Sequence, residues 1–187
     1  MIPQPEREQI VALINREVVP AIGCTEPIAV ALCVAKATEI LGTEPERIVA
    51  RLSANILKNA MGVGIPGTGM IGLPIASALG ALIGKSAYRL EVLRDVDAEA
   101  VARGKRYVDE KRITIGLKEG IEEKLYIEIE AAAGDHTAVA VIAGGHTNFV
   151  FEARDGQSQL DRRGASAGEE EQNGPALSLR RVYDFAM

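Results

Sequence analysis

Apolar residues recur at helical spacing near the start of the chain. Ile10, Leu13, Ile14 and Val18 share one face of an amphipathic helix predicted over residues 6–19, which Pro20 ends. Ala21-Ile22-Gly23 reads as a tight turn, and a second helix is predicted from near Thr25 to about Leu41. Thr25 is a suitable N-cap, Glu26 suits the positive helix end, and Pro27 is tolerated in the first turn. Residues 28–35 are apolar nearly all round, the mark of a buried central helix, and Gly42 stops it. The period then changes to two, and the alternation over residues 47–57 predicts a strand. A Gly-rich loop (62–69), a small-residue helix (70–83), a strand (88–93), a surface helix (97–110) and a strand (112–117) follow. Strands over 125–132, 136–142 and 147–152 are punctuated by Gly134-Asp135 and Gly144-Gly145, an antiparallel meander. Helices early and strands late predict an α+β fold of two layers, with helices packed on a mainly antiparallel sheet ending in that meander.

Composition changes the picture after residue 154. Residues 155–174 lose the apolar pattern and read as a linker. From residue 175 a new helix begins, with Ser178 as cap and Leu179, Val182 and Phe185 at helical spacing, and it reads as the cut-short start of a helical domain. The organisation expected is therefore a 1–154 domain, a 155–174 linker and a 175–187 stub.

The 187 residues are 47% hydrophobic but only 4% aromatic, so the core must be built from Ala, Val, Ile and Leu. A net charge of −5, without a basic run, argues against nucleic acid as a partner. The start lacks a signal-peptide pattern, and the apolar stretch 70–83 is too short and too rich in Gly and Pro to span a bilayer. Cys24 and Cys33, nine residues apart on one helix, point to opposite faces and cannot pair. Together these features predict a cytoplasmic protein without membrane attachment.

Cys24 is the sharpest single residue. Beside a helix start, its thiolate is favoured by outward N–H groups and the dipole, which suits a base, a nucleophile or a metal ligand; a plain buried thiol is the equal alternative. Cys33, in mid-helix, reads as core. The loop matches Gly-x-Gly-x-x-Gly at Gly62, Gly64 and Gly67, but Pro66 in the turn and the missing acidic residue argue against a dinucleotide site. An anion nest for a carboxylate or phosphate fits better, with Ser53, Asn55, Lys58 and Asn59 lining it; alternatively the glycines only let helices approach. Gly84-Lys85-Ser86 is no Walker motif, since position 79 is Leu. His136 and His146 stand at opposite ends of one predicted strand and cannot share a metal.

Two long segments, Val19-Pro-Ala-Ile-Gly-Cys-Thr-Glu-Pro-Ile-Ala-Val-Ala-Leu32 and Ser53-Ala-Asn-Ile-Leu-Lys-Asn-Ala-Met-Gly-Val-Gly-Ile-Pro-Gly-Thr68, with the shorter His146-Thr147-Asn148, resemble the L-cysteine desulfidase family, which is related to the alpha chain of iron–sulfur-dependent L-serine dehydratases. The resemblance implies β-elimination of L-cysteine to hydrogen sulfide, ammonia and pyruvate, with L-serine as a related substrate. It implies a [4Fe–4S] cluster acting as Lewis acid, held by cysteines of a carboxy-terminal helical half that this chain lacks. On that reading Cys24, Glu26 and Lys58 are the catalytic candidates. Thr25, Ser53, Asn55, Asn59, Gly62, Gly64, Gly67, Thr68, His146, Thr147 and Asn148 are the substrate-binding ones. No metal ligand is expected in this chain, with Cys24 a neighbour of the cluster, and the chain alone should be inactive. The competing readings are a non-catalytic small-molecule or anion-binding module and a homodimerisation domain using the small-residue helix faces.

Overall fold

The computed structural model describes residues 2–164 and 177–187. They divide into two compact units, residues 21–163 and a smaller one made of residues 1–20 and 164–187.

The larger unit is an α+β fold. Its element order is α2 (Thr25–Leu41), β1 (Arg47–Leu52), α3 (Ala54–Ala60), β2 (Gly64–Ile65), β3 (Met70–Ile71), α4 (Leu73–Ile83), a 3-10 segment (Ser86–Glu91), α5 (Ala98–Asp109), β4 (Ile113–Leu117), β5 (Tyr126–Ala133), β6 (His136–Ala143), β7 (Phe149–Arg154) and β8 (Gln157–Asp161). The six-stranded sheet runs β4-β1-β5-β6-β7-β8. Only β1 and β4 pair in parallel, across a long crossover, and every other neighbour is antiparallel. The sheet is therefore mainly antiparallel and ends in a meander, as the strand spacing predicts.

Helix α2 is the centre of the core. Residues Ile28 to Ala35 are all fully buried, and the Cys33 thiol points at the Ala140 carbonyl of β6, 3.3 Å away. Helix α4 packs on α2 with backbone against backbone at Gly80 and with only the Ala35 methyl between them at Gly84. A Cβ at Gly80 would lie 2.5 Å from the Ala31 carbonyl oxygen, and one at Gly84 2.7 Å from the Ala35 Cβ. Residue numbers advance together at both contacts, so the two helices run parallel and their N-termini lie at one end. Helix α5 is capped by Asp97, which accepts the Ala100 N–H at 2.8 Å; it buries Gly104 and Tyr107, the latter donating to the Pro45 carbonyl at 2.5 Å.

Three expectations are corrected. The strand predicted over residues 47–57 stops at Leu52, because Ser53 caps a helix there: its Oγ accepts the Ile56 N–H at 3.5 Å and α3 runs to Ala60. The strand predicted over 88–93 is instead the 3-10 segment Ser86–Glu91. Its ends are tied to the ends of α2, with the Ser86 N–H donating to Glu39 at 2.7 Å and the Leu90 carbonyl accepting the Ile22 N–H at 3.0 Å. The backbone groups a sheet would use are spent inside the segment, Tyr88 N–H on Lys85 and Val92 N–H on Arg89, and on Ile22. The expected linker over 155–174 begins later, since Gln157–Asp161 forms β8 against β7. Its polar sequence suits an edge strand with a water-facing side. Residues 165–174 of that linker lie outside the described residues.

The smaller unit holds α1 (Gln4–Glu17) and α6 (Leu179–Ala186). Ser178 caps α6 as expected, accepting the Arg181 N–H at 3.2 Å. Arg181 pairs with Glu6 at 2.7 Å, and the Arg7 guanidinium stands 4.8 Å over the Phe185 ring. Leu179, Val182 and Tyr183 are exposed. No helix of the described residues is long and apolar enough to cross a membrane.

On the sheet, Glu128 collects Arg51 (2.8 Å), Lys118 (2.8 Å) and the Tyr126 hydroxyl (2.7 Å). Burial pushes its carboxyl up, but the hydrogen bonds from Lys118, Tyr126 and Arg51 outweigh burial and hold it below the usual glutamate range. A depressed folded-state pKa gives stability that is present above the unfolded value and lost as pH falls through the folded one. Arg51→Met should therefore flatten the loss of urea stability below about pH 4.5, measured from pH 6 downward. Gly80→Ala should cost about 1–3 kcal/mol by overpacking. Gly116→Ala, where nothing lies within 4 Å of the new methyl, should cost under about 0.5 kcal/mol. Equal midpoints for the two glycine variants in urea melts would count against the α2–α4 contact.

Candidate functional site

Cys24 is the N-cap of α2, one residue earlier than the cap expected at Thr25. Its thiol is exposed, whereas Cys33 is buried, and burial pushes the Cys33 thiol far up. Cys33 is thus a core residue, as expected. Thr25 and Glu26 follow in the first turn, with the Thr25 hydroxyl donating to the Glu26 carboxylate at 3.3 Å.

The Gly-rich segment is a hairpin. Gly64 pairs with Ile71 and Ile65 with Met70, and residues 66–69 form the turn. Thr68 builds that turn: its buried hydroxyl donates to the Ile65 carbonyl at 2.7 Å and accepts the Met70 N–H at 2.9 Å. Gly67 and Gly69 sit at φ +75° and +64°, where side chains are strained. The segment follows a helix rather than a strand, so the dinucleotide fingerprint lacks its structural context. Open space lies beside Gly62, Gly64 and Gly69.

Hairpin and thiol turn meet directly. A Cβ at Gly23 would stand 2.8 Å from Pro66 Cγ, so only glycine lets the turn before Cys24 lie against the loop. Because α2 and α4 run parallel, the N-terminus of α4, capped by Gly72, lies at the same end as Cys24. Two positive helix ends therefore share this corner. Each contributes about 0.3–1 kcal/mol toward a carboxylate, whereas millimolar affinity requires about 4 kcal/mol. The two dipoles alone would hold a carboxylate only weakly.

The other candidates distribute unevenly. Lys58 and Asn59 lie exposed on α3, Asn59 donating to Asn55 at 3.4 Å. Ser53 and Asn55 open onto a different cleft of about 460 Å³, lined by residues 117–124. The Ser53 oxygen is committed to structure, donating to the Lys124 carbonyl at 2.8 Å and accepting the Tyr126 N–H at 3.3 Å. Asn148 closes the β6–β7 turn, its amide donating to the Ala143 carbonyl at 2.9 Å. His146 is half-buried in the same turn. Thr147 accepts Arg89 at 3.0 Å. His136 is elsewhere, paired with Asp155 at 3.0 Å.

Arg89 is the residue the sequence reading passes over. It precedes Leu90, whose carbonyl holds the Ile22 N–H two residues before Cys24. Its backbone sits at φ 52°, ψ −125°, a region that costs a side-chain-bearing residue about 1–3 kcal/mol. No local pattern betrays this, because the ties run to residues far away in the chain.

No family model and no solved structure matches the chain. It is similar to bacterial proteins named UPF0597 protein: 69% identical over 186 residues in Phocaeicola vulgatus, 64% over 184 in Bacteroides thetaiotaomicron and 47% over 187 in Porphyromonas gingivalis. These matches cover 97–100% of the chain but 43% of each relative. The chain thus spans less than half the length of the relatives it matches.

The two thiols should separate chemically. Native protein should take up one equivalent of iodoacetamide, at Cys24, and a second only in urea. Rapid double labelling of the native protein, read by mass spectrometry, would contradict the core position of Cys33.

Proposed function

We propose that this chain is the substrate-holding, amino-terminal part of an iron–sulfur-dependent lyase that β-eliminates L-cysteine, or L-serine, to pyruvate and ammonia. The observation that carries the reading is the contact of Gly23 with Pro66. It joins the two long motifs that resemble the desulfidase family into one corner, bearing an exposed thiol and two helix N-termini.

The chain's own residues do not fit a [4Fe–4S] cluster. It has two cysteines, one of them sealed in the core, and among the described residues no group of three or more His, Cys, Asp or Glu can hold a metal ion. The proposal therefore places cluster ligands in the further length that the relatives possess. A helical carboxy-terminal domain is the partner this requires, in a cytoplasmic setting.

What remains for this chain is binding and proton handling. Loop and helix N–H groups hold the α-carboxylate. Cys24 as thiolate takes the Cα proton onto Sγ. The electron pair left on Cα forms the Cα=Cβ bond as the Cβ–S or Cβ–O bond breaks with its electrons on the leaving atom, releasing hydrosulfide from cysteine or hydroxide from serine, and water hydrolyses the resulting enamine to pyruvate and ammonia. The relay of that proton to water is assigned to Glu26, which follows in the first turn of α2 and accepts a hydrogen bond from Thr25.

Full-length protein with its cluster rebuilt anaerobically should form pyruvate from L-cysteine or L-serine, and the present chain alone should form none. Cys24→Ala should lower kcat by about 10²-fold or more, while Cys33→Ala should keep most activity at a modest cost in stability. Pyruvate from neither amino acid would sink the proposal. Calorimetric binding of amino acids without turnover would point to a non-catalytic module.

A further inference from the structure

We infer that Arg89 recognises the α-carboxylate of the amino-acid substrate. This rests on the lyase reading of the Cys24 corner and adds a cationic partner to the loop and helix N–H groups that hold the carboxylate there.

The first observation is chemical. Arg89 is exposed, and its guanidinium donates to one neutral oxygen, Thr147 Oγ1, at 3.0 Å. Among the described residues no carboxylate pairs with it. That sets it apart from Arg51, Arg103, Arg112, Arg154 and Arg163, each tied to an Asp or Glu. A guanidinium steadied by a hydroxyl keeps most of its donor fork free, the geometry that takes a carboxylate in two parallel hydrogen bonds.

The second observation is positional. The Leu90 carbonyl accepts the Ile22 N–H at 3.0 Å, so Arg89 is one residue, and Cys24 two residues, from the same backbone bond. Thr147 brings in the third of the matching sequence segments, His146-Thr147-Asn148. Lys58, the competing cation, stands on the exposed side of α3, and among the described residues no hydrogen bond or ion pair ties it to the Cys24 turn.

The third observation is the backbone. At φ 52°, ψ −125° glycine would be the relaxed choice, yet the chain carries its longest cationic side chain there.

The test uses full-length protein with its cluster rebuilt and two competitive inhibitors: 3-mercaptopropionate, which keeps the carboxylate, and cysteamine, which lacks it. Arg89→Ala should raise the L-cysteine KM and the 3-mercaptopropionate Ki by about tenfold or more, leaving the cysteamine Ki within about twofold and kcat less affected than KM. Arg89→Lys should recover part of the loss. Arg89→Gly should raise Tm while losing the same carboxylate affinity, which an arginine serving only structure would not do. Parallel changes in both Ki values, or none, would overturn the assignment. If the wild type makes no pyruvate, the lyase reading falls. Calorimetry with the same two ligands then decides Arg89: selective loss of 3-mercaptopropionate binding in Arg89→Ala supports it, and unchanged or absent binding overturns it.

Discussion

The contact of α4 with α2 through Gly80 and Gly84 is the constraint on which the larger unit depends. With a 2.5 Å gap between a would-be Cβ and the Ala31 carbonyl, backbone lies on backbone, and no side chain at Gly80 leaves that spacing intact. The aromatic-poor composition follows from this. A core of Ala, Val, Ile and Leu can fill the narrow space between a central helix, a neighbouring helix and a sheet; bulky rings cannot. Parallel close packing also fixes electrostatics, because two helices that run the same way bring their positive ends to the same corner.

That corner then collects the rest. The chain leaving α3 must return to start α4 beside the start of α2, and the β2–β3 hairpin makes the return. Thr68 holds the hairpin's turn, and Pro66 rests on Gly23. On the other side the 3-10 segment is strung between Glu39 and Ile22, from one end of α2 to the other. Arg89 takes its positive φ between those two ties.

Much of this was legible from the chain. The all-apolar run from Ile28 to Ala35 announced a central buried helix, and glycine pairs at 134–135 and 144–145 marked the meander. Failures came where short-range pattern competed with a long-range tie. Ile56 continues the period-two alternation of β1, but the Ser53 oxygen satisfies Ile56 N–H and Tyr126 N–H together, and the helix wins. Residues 88–93 alternate in sequence as a strand would, but the Tyr88 and Val92 N–H groups close 3-10 bonds to Lys85 and Arg89, and the Leu90 carbonyl holds Ile22. The candidate site divides the same way. A thiol at a helix start and an anion-holding glycine loop could each be read from the chain, and their contact through Gly23 and Pro66 comes from the fold. Arg89 could not, since nothing near it in sequence reveals Ile22 or Thr147.

Cys24 and Cys33 show how far position outweighs residue type. Both belong to the α2 segment, nine residues apart. One ends a turn at the positive pole of the helix with its sulfur exposed; the other is sealed among carbonyls of β5 and β6, where ionisation is strongly opposed. A thiol that must exchange protons can occupy only the first setting. Neither position offers the four thiolates of a cluster site, so if the lyase chemistry holds, its division of labour is structural. On that reading the part described here would orient the amino acid and hold a proton, and the metal would come from chain folded against the corner where Cys24 and the hairpin meet.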